Sequence, residues 1–303
     1  MFNIEKYWNE NMKWQDIVEG VIGQDIDYLP AAVSTILFCL LAMTLCVIMH
    51  KLSSIILPDS IKLYALDYFK SIAFCTYPIA YGLSRRHHGH IGYFLVMVPI
   101  NVVSLLLLHE GCANPIDNFL RYVRGTQSLW KSVIRTIIQV IGAYSAFYLA
   151  QQIMKLEFHE DFAEIISRAC TSDLKISVTA GFLLELAGTC WDTWFWLQKL
   201  SKYPHLDMVI LSSNTALVVS LGVHLTGMYL QPALATGYTL GCHGITVVEH
   251  IFVYWLGPFI GGYIAYKFSE KFNFQLFYKG KENREEKQKK ELKKKLTSKL
   301  RKD

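Results

Sequence analysis

Two short apolar pieces of chain, each opened by a proline, sit at matching points in two halves of this sequence: Asn114-Pro115-Ile116 and Gln231-Pro232-Ala233. From Asp67 to Asn114 is 47 residues, and from Glu185 to Gln231 is 46. Asp67 and Ser71 make an acidic-x-x-x-hydroxyl pair in one apolar segment, as Glu185 and Thr189 do in another. Downstream, IGAYSAF at 141–147 resembles IGGYIAY at 260–266, starting 27 and 29 residues past the two motifs. Each half therefore reads helix, helix, short proline-opened piece, helix. Three spans is an odd number, so the second half must enter a membrane from the opposite side, as an inverted repeat.

The membrane reading rests on composition: 52% of the 303 residues are hydrophobic and only 18% charged, mostly at the two ends. Candidate spans centre on 31–50, 61–83, 91–109, 131–153, 174–198, 206–226 and 247–268. The domain reading is a polar segment 1–30, an extra apolar helix 31–50, a first repeat 61–153, a second repeat 174–268 and a basic tail 269–303. Charges, Trp8 and Trp14 near the start, without a basic region before an apolar run, argue against a cleavable leader; 31–50 can act as a signal anchor. Residues 271–303 hold 13 Lys/Arg against 5 Asp/Glu, which assigns the tail to the cytoplasm. Arg121, Arg124, Lys131 and Arg135 read as charges on that same side. The acid-rich stretch 154–173 falls opposite, together with SRRHHGH at 84–90, whose two arginines break the charge rule. The seven cysteines are scattered, with no CxxC and no Cys/His metal spacing, which argues against a disulfide framework or a metal site.

The stretch GMYLQPALATG, 227–237, is too short to cross as a helix, which takes about 20 residues. Two such segments can dip in from opposite faces and meet near the midplane, where non-helical backbone survives only inside protein or against a wet cavity. Proline suits a first helical turn and Asn114 is a good N-cap. Two half-helix N-termini would then bring their positive dipole ends together and repel cations. The peptide carbonyls before each motif, at 111–113 and 227–230, can offer a hydrogen-bonding ladder to a solute.

These residues resemble the aquaporin superfamily. YWLGPFIGG at 254–262 looks like the family's last-helix signature, Gln139-x-x-Gly142-Ala143 like its third-helix motif, and TGMYLQPA at 226–233 like the second Asn-Pro-Ala box with its approach. The resemblance covers about residues 61–268. Segment 31–50, Cys242 nine residues after Ala233, and Gln275-Leu-Phe-Tyr278 are similar to the unorthodox superaquaporin branch. It implies an all-α membrane protein, with six transmembrane helices and two re-entrant half-helices in an inverted repeat, plus an extra N-terminal apolar helix. It also implies a homotetramer among membrane lipids and residence in an intracellular membrane such as the endoplasmic reticulum. The function implied is passive passage of small uncharged solutes: glycerol, hydrogen peroxide or water.

The departures carry the finer expectations. Gln231 adds a methylene to the usual asparagine, so it should cap poorly and reach further into the pore. Ile116 is larger than the usual alanine, and Leu234 stands where arginine is usual. Counting from the boxes gives an apolar selectivity filter of Phe94, Val219, Met228 and Leu234, which would strip water of its hydration without replacing it. Asp67 and Glu185 read as buried structural acids that accept from the backbone before each half-helix. Cys242 reads as a packing thiol or redox sensor, and His87, His88 and His90 as a solvated loop in preference to a metal site or pH sensor. No cofactor or nucleic-acid partner is expected. A non-conducting scaffold is the alternative to a channel, with an enzyme built on the histidines ranked last.

Overall fold

The computed structural model describes residues 29–272. The polar start and the basic tail from 273 on, with Gln275-Leu-Phe-Tyr278, lie outside the described residues. The elements are α1 (Ala31–Ile56), α2 (Asp59–Leu107), α3 (Pro115–Val123), α4 (Leu129–Met154), α5 (Asp161–Ser167), α6 (Val178–Trp196), α7 (Pro204–Thr226), α8 (Pro232–Thr239), α9 (Val247–Ile251), a π-helical turn (Phe252–Leu256) and α10 (Gly257–Lys271). Among the described residues the only β pairing is an isolated bridge between Thr171 and His243.

Helix α2 is a hairpin. Its 49 residues include Gly89 at φ 64° and ψ −159°, a backbone conformation that L side chains rarely adopt. Ser104 Oγ donates to Tyr77 Oη at 3.0 Å and Tyr81 Oη to Asn101 Oδ1 at 3.1 Å. In one straight helix, residues 77 and 104 would stand roughly 40 Å apart. The two arms are therefore antiparallel and turn at the SRRHHGH stretch. Among the described residues five helices are long and apolar enough to cross a membrane, the α9–π–α10 unit counting as one; with α2 doubled, they make six passes. The expected span at 174–198 is α6, which falls outside that group: its 19 residues contain Glu185 and Asp192.

The charge conflict at 84–90 is relieved by pairing. Arg86 lies 2.9 Å from Glu164 and 3.2 Å from Asp161, and His87 Nε2 lies 2.9 Å from Asp161 Oδ2. Arg86 and His87 at the turn thus face the acids of α5 on the same side. Burial works against the charged form of Asp161, but the His87 hydrogen bond and the Arg86 charge outweigh it and hold this carboxyl below the usual range.

Close helix approach needs small residues. A Cβ on Gly142 would sit 2.8 Å from Ser71 Cβ, joining α4 to α2; one on Gly261 would sit 2.3 Å from the Leu186 carbonyl, joining α10 to α6. Ser71 Oγ and Thr189 Oγ1 are both buried without a hydrogen-bond partner among the described residues, so both contribute small volume at a helix crossing. Helix α1 lies along α2, burying Phe38, Cys39, Ala42, Met43 and Cys46, and Thr35 Oγ1 reaches the Ala80 carbonyl at 3.3 Å.

The cysteine expectation needs correction. Cys242 is joined to Cys170 by a disulfide, with Cα atoms 5.0 Å apart. Backbone bonds from His243 N to Cys170 O (3.1 Å) and from Ser172 N to His243 O (2.8 Å) hold the two loops together. Their 72-residue separation hid the pair from any spacing rule.

Candidate pore site

Pro115 and Pro232 each stand at the first position of a short helix, α3 and α8. Asn114 caps α3: its Oδ1 accepts from Ile116 N at 3.0 Å. Gln231 makes no such cap. Its Nε2 donates instead to the carbonyl of Ala113, 2.5 Å away, so the two half-helix N-termini meet through this one side chain. The extra methylene is what gives Gln231 that reach. Ile116 is fully buried, and its bulk is received by Gly262, where a Cβ would come within 2.6 Å of Ile116 Cγ2. Ala233 is buried against the core.

The approach to each half-helix is held by an acid. Glu185 accepts from Tyr229 N and Leu230 N, both at 3.1 Å, and from Thr226 Oγ1 at 2.7 Å. These bonds pin an irregular stretch in which Met228 and Leu230 adopt φ of 45° and 55°. Asp67 accepts from Cys112 N at 2.7 Å. Its remaining capacity is taken by a buried guanidinium: Arg135 Nε at 2.5 Å and Nη2 at 2.8 Å. Arg135, read as one of the charges on the cytoplasmic side, is 3% exposed inside α4. Its periodicity could have revealed it, because Arg135, Gln139, Gly142, Ala143 and Ala146 share one helical face and are all buried. A Glu185→Leu protein would orphan two amides at about 1–3 kcal/mol each. We expect a lower melting temperature in detergent, with Glu185→Gln between it and the wild type. Equal melting of Glu185→Leu and wild type would remove the carboxylate from this holding role.

One continuous cavity of about 1000 Å³ passes both boxes. Its lining runs from Arg86 and His90 at the α2 turn to Trp196 and Leu197 at the far end of α6. Asn114, Ile116, Gln231, Val219, Met228 and Leu234 line it. Phe94 does not; it packs half-buried against the core, while Tyr93 and Met97 line the cavity. The count from the first box thus slips by one residue, and one residue on a helix turns a side chain by about 100°. Met228 also seats in a slot between Gly188 and Gly222, where added Cβ atoms would approach it to 2.0 and 2.6 Å.

The lining is not free of charge. Lys70, only 8% exposed, lines the cavity and donates to the Gly111 carbonyl at 3.2 Å. It sits three residues after Asp67 on the same helical face, a signal the apolar pattern masked. The first carbonyl ladder is partly used: Gly111 accepts from Lys70, Cys112 from Gln139 Nε2 at 2.9 Å, and Ala113 from Gln231. Among the described residues no protein donor reaches the carbonyls of 227–230. The π turn adds a contact that spacing did not suggest, since Trp255 Nε1 donates to Thr236 Oγ1 of α8 at 2.9 Å.

No family model matches the chain. It is 21% identical over 240 residues to aquaporin-11 of Milnesium tardigradum, covering 78% of this chain and 86% of that protein. It is 32% identical over 178 residues to aquaporin-12 of Mus musculus, covering 55% of this chain and 60% of that protein's length. It is also 26% identical over 188 residues to aquaporin SIP1-1 of Zea mays, covering 57% and 74%.

The chain is similar to members of the aquaporin superfamily.

The chain is a multi-pass, all-α membrane protein, and each of these relatives is named an aquaporin. In this aquaporin-like chain the paired half-helices, and not the histidine-bearing turn, are the centre of the candidate site.

Proposed function

We propose that the chain is a passive channel for small uncharged solutes, with glycerol and hydrogen peroxide favoured over fast water flow. The observation that carries this reading is the Gln231–Ala113 contact on a cavity whose lining extends between opposite ends of the helix bundle. The opposed N-termini of α3 and α8 supply a field against cations. The side chains of Val219, Met228 and Leu234 are apolar and replace little of a permeant's hydration, so bare water loses hydration there while an amphipathic solute loses less. The carbonyls of 227–230, unused by protein donors, are the stretch on which a solute would find acceptors. Tyr93 replaces Phe94 in this proposed filter, and Lys70 adds one positive charge near the first box.

A second reading is favoured by the same contact. Because Gln231 bridges to the opposite half, it also narrows the centre, as a non-conducting scaffold requires. Stopped-flow permeability of purified protein in proteoliposomes, to water, glycerol and peroxide in parallel, separates the two. We expect glycerol and peroxide flux above protein-free vesicles, and Gln231→Asn, too short to bridge, should raise it. If the wild type passes none of the three and Gln231→Asn rescues none, the scaffold reading replaces the channel.

The orientation we propose sets the 84–90 turn and the Cys170–Cys242 disulfide on the non-cytoplasmic face, an oxidising compartment that would sustain the bond. Residence in the endoplasmic reticulum and assembly as a tetramer are further parts of the proposal, drawn from the resemblance to superaquaporins.

A further inference from the structure

At the end of the cavity lined by the α2 turn, three metal-ligating side chains converge that the channel reading does not use. His87 comes from the turn of α2, and His159 and Asp161 from the segment that opens α5. One ligand atom from each lies within 4.8 Å of the other two. The His87 and His159 rings stand 5.0 Å apart, edge to face. His87 Nε2 is already 2.9 Å from Asp161 Oδ2. Without an ion the Asp161 amide donates to His159 Nδ1 at 3.2 Å, a bond the ring gives up on ligation because a neutral imidazole has a single acceptor nitrogen. His159 is 7% exposed, whereas the His87 side chain is 36% exposed and leaves a way in from solvent.

Two imidazoles and a carboxylate are the donor set of a zinc-type ion, not of calcium or magnesium, which prefer oxygen. Bond lengths near 2.0–2.2 Å put tetrahedral ligands roughly 3.3 Å apart. The His87–Asp161 edge already meets that separation, so the site needs closure only toward His159. Arg86 also touches Asp161, at 3.2 Å, but its shorter contact is with Glu164 at 2.9 Å, so it keeps a partner when the carboxylate turns to an ion.

We propose that His87, His159 and Asp161 form a three-ligand site for a divalent zinc-type ion, leaving one position for water. Bound there, the ion clamps the 84–90 turn to the segment that opens α5. Both sides of that clamp border the cavity, through Arg86, Gly89 and His90 on one and Ile165 and Arg168 on the other. The site does not depend on what the cavity conducts.

The test uses untagged full-length protein in detergent, stripped with chelator and titrated with Zn²⁺ alone by calorimetry. One site is expected in the wild type, with no comparable heat from Mg²⁺. His87→Ala and His159→Ala should each weaken binding at least about tenfold, while His88→Ala and His90→Ala keep it. His87 is exposed, so its variant tests the site even where His159→Ala folds poorly. Hydrogen exchange should show 84–90 and 157–168 both slowing on Zn²⁺ addition in the wild type and not in His87→Ala. Unchanged affinity in His87→Ala, equal loss in His88→Ala, or binding that slows neither segment overturns the proposal.

Discussion

An Arg135→Leu protein is expected to lose about 3–5 kcal/mol of stability, read as a large fall in melting temperature and in monodisperse yield from detergent. Asp67 is fully buried and holds one backbone amide, that of Cys112, besides the guanidinium. Removing the arginine leaves a desolvated carboxylate with that single amide for compensation. Because the penalty is the unpaired charge, Asp67→Asn combined with Arg135→Leu should recover part of the loss, since asparagine still offers Cys112 an acceptor oxygen. Wild-type melting of the single variant would mean that Asp67 does not depend on this pair. The second half of the molecule is the internal control: there Glu185 is satisfied by two amides and the Thr226 hydroxyl, and no cation is involved.

The largest functional effect is expected at Leu234. It lines the cavity beside Val219 and Met228 and is itself 8% exposed. Leu234→Arg adds a planar cation with five donors to an apolar constriction. The added bulk narrows the passage and excludes a larger solute more than water. We expect the glycerol-to-water permeability ratio in proteoliposomes to fall by about tenfold, which is about 1.4 kcal/mol in relative barrier. Leu234→Met, similar in volume and apolar, should leave the ratio near wild type. A ratio unmoved by Leu234→Arg would take this residue out of the filter.

Much of the candidate site was legible because it is written as local spacing. The prolines that open α3 and α8, the cap at Asn114, the acids 47 and 46 residues upstream, and the small residues at 142 and 261 each follow from a short motif and its distance to the next. Helix length and apolar character likewise read directly, apart from α6, where two acids, Glu185 and Asp192, lower the apolar character. Gln231 was legible as a long amide that caps poorly; that its nitrogen lands on Ala113, 118 residues away, was not.

The rest belongs to the tertiary structure, for one physical reason. A residue's partner on another helix depends on the rotational phase of both helices, and a single residue of slip changes that phase by about 100°. So Tyr93, not Phe94, lines the cavity. Arg135, read as one of the charges on the cytoplasmic side, turns inward onto Asp67, 68 residues away. Cys242 finds Cys170 only because two loops are zipped by backbone bonds, and the histidine turn meets its acids only because Gly89 reverses α2. Sequence periodicity determined which faces are apolar and where the two half-helices begin; which side chains those faces bring together was decided by packing.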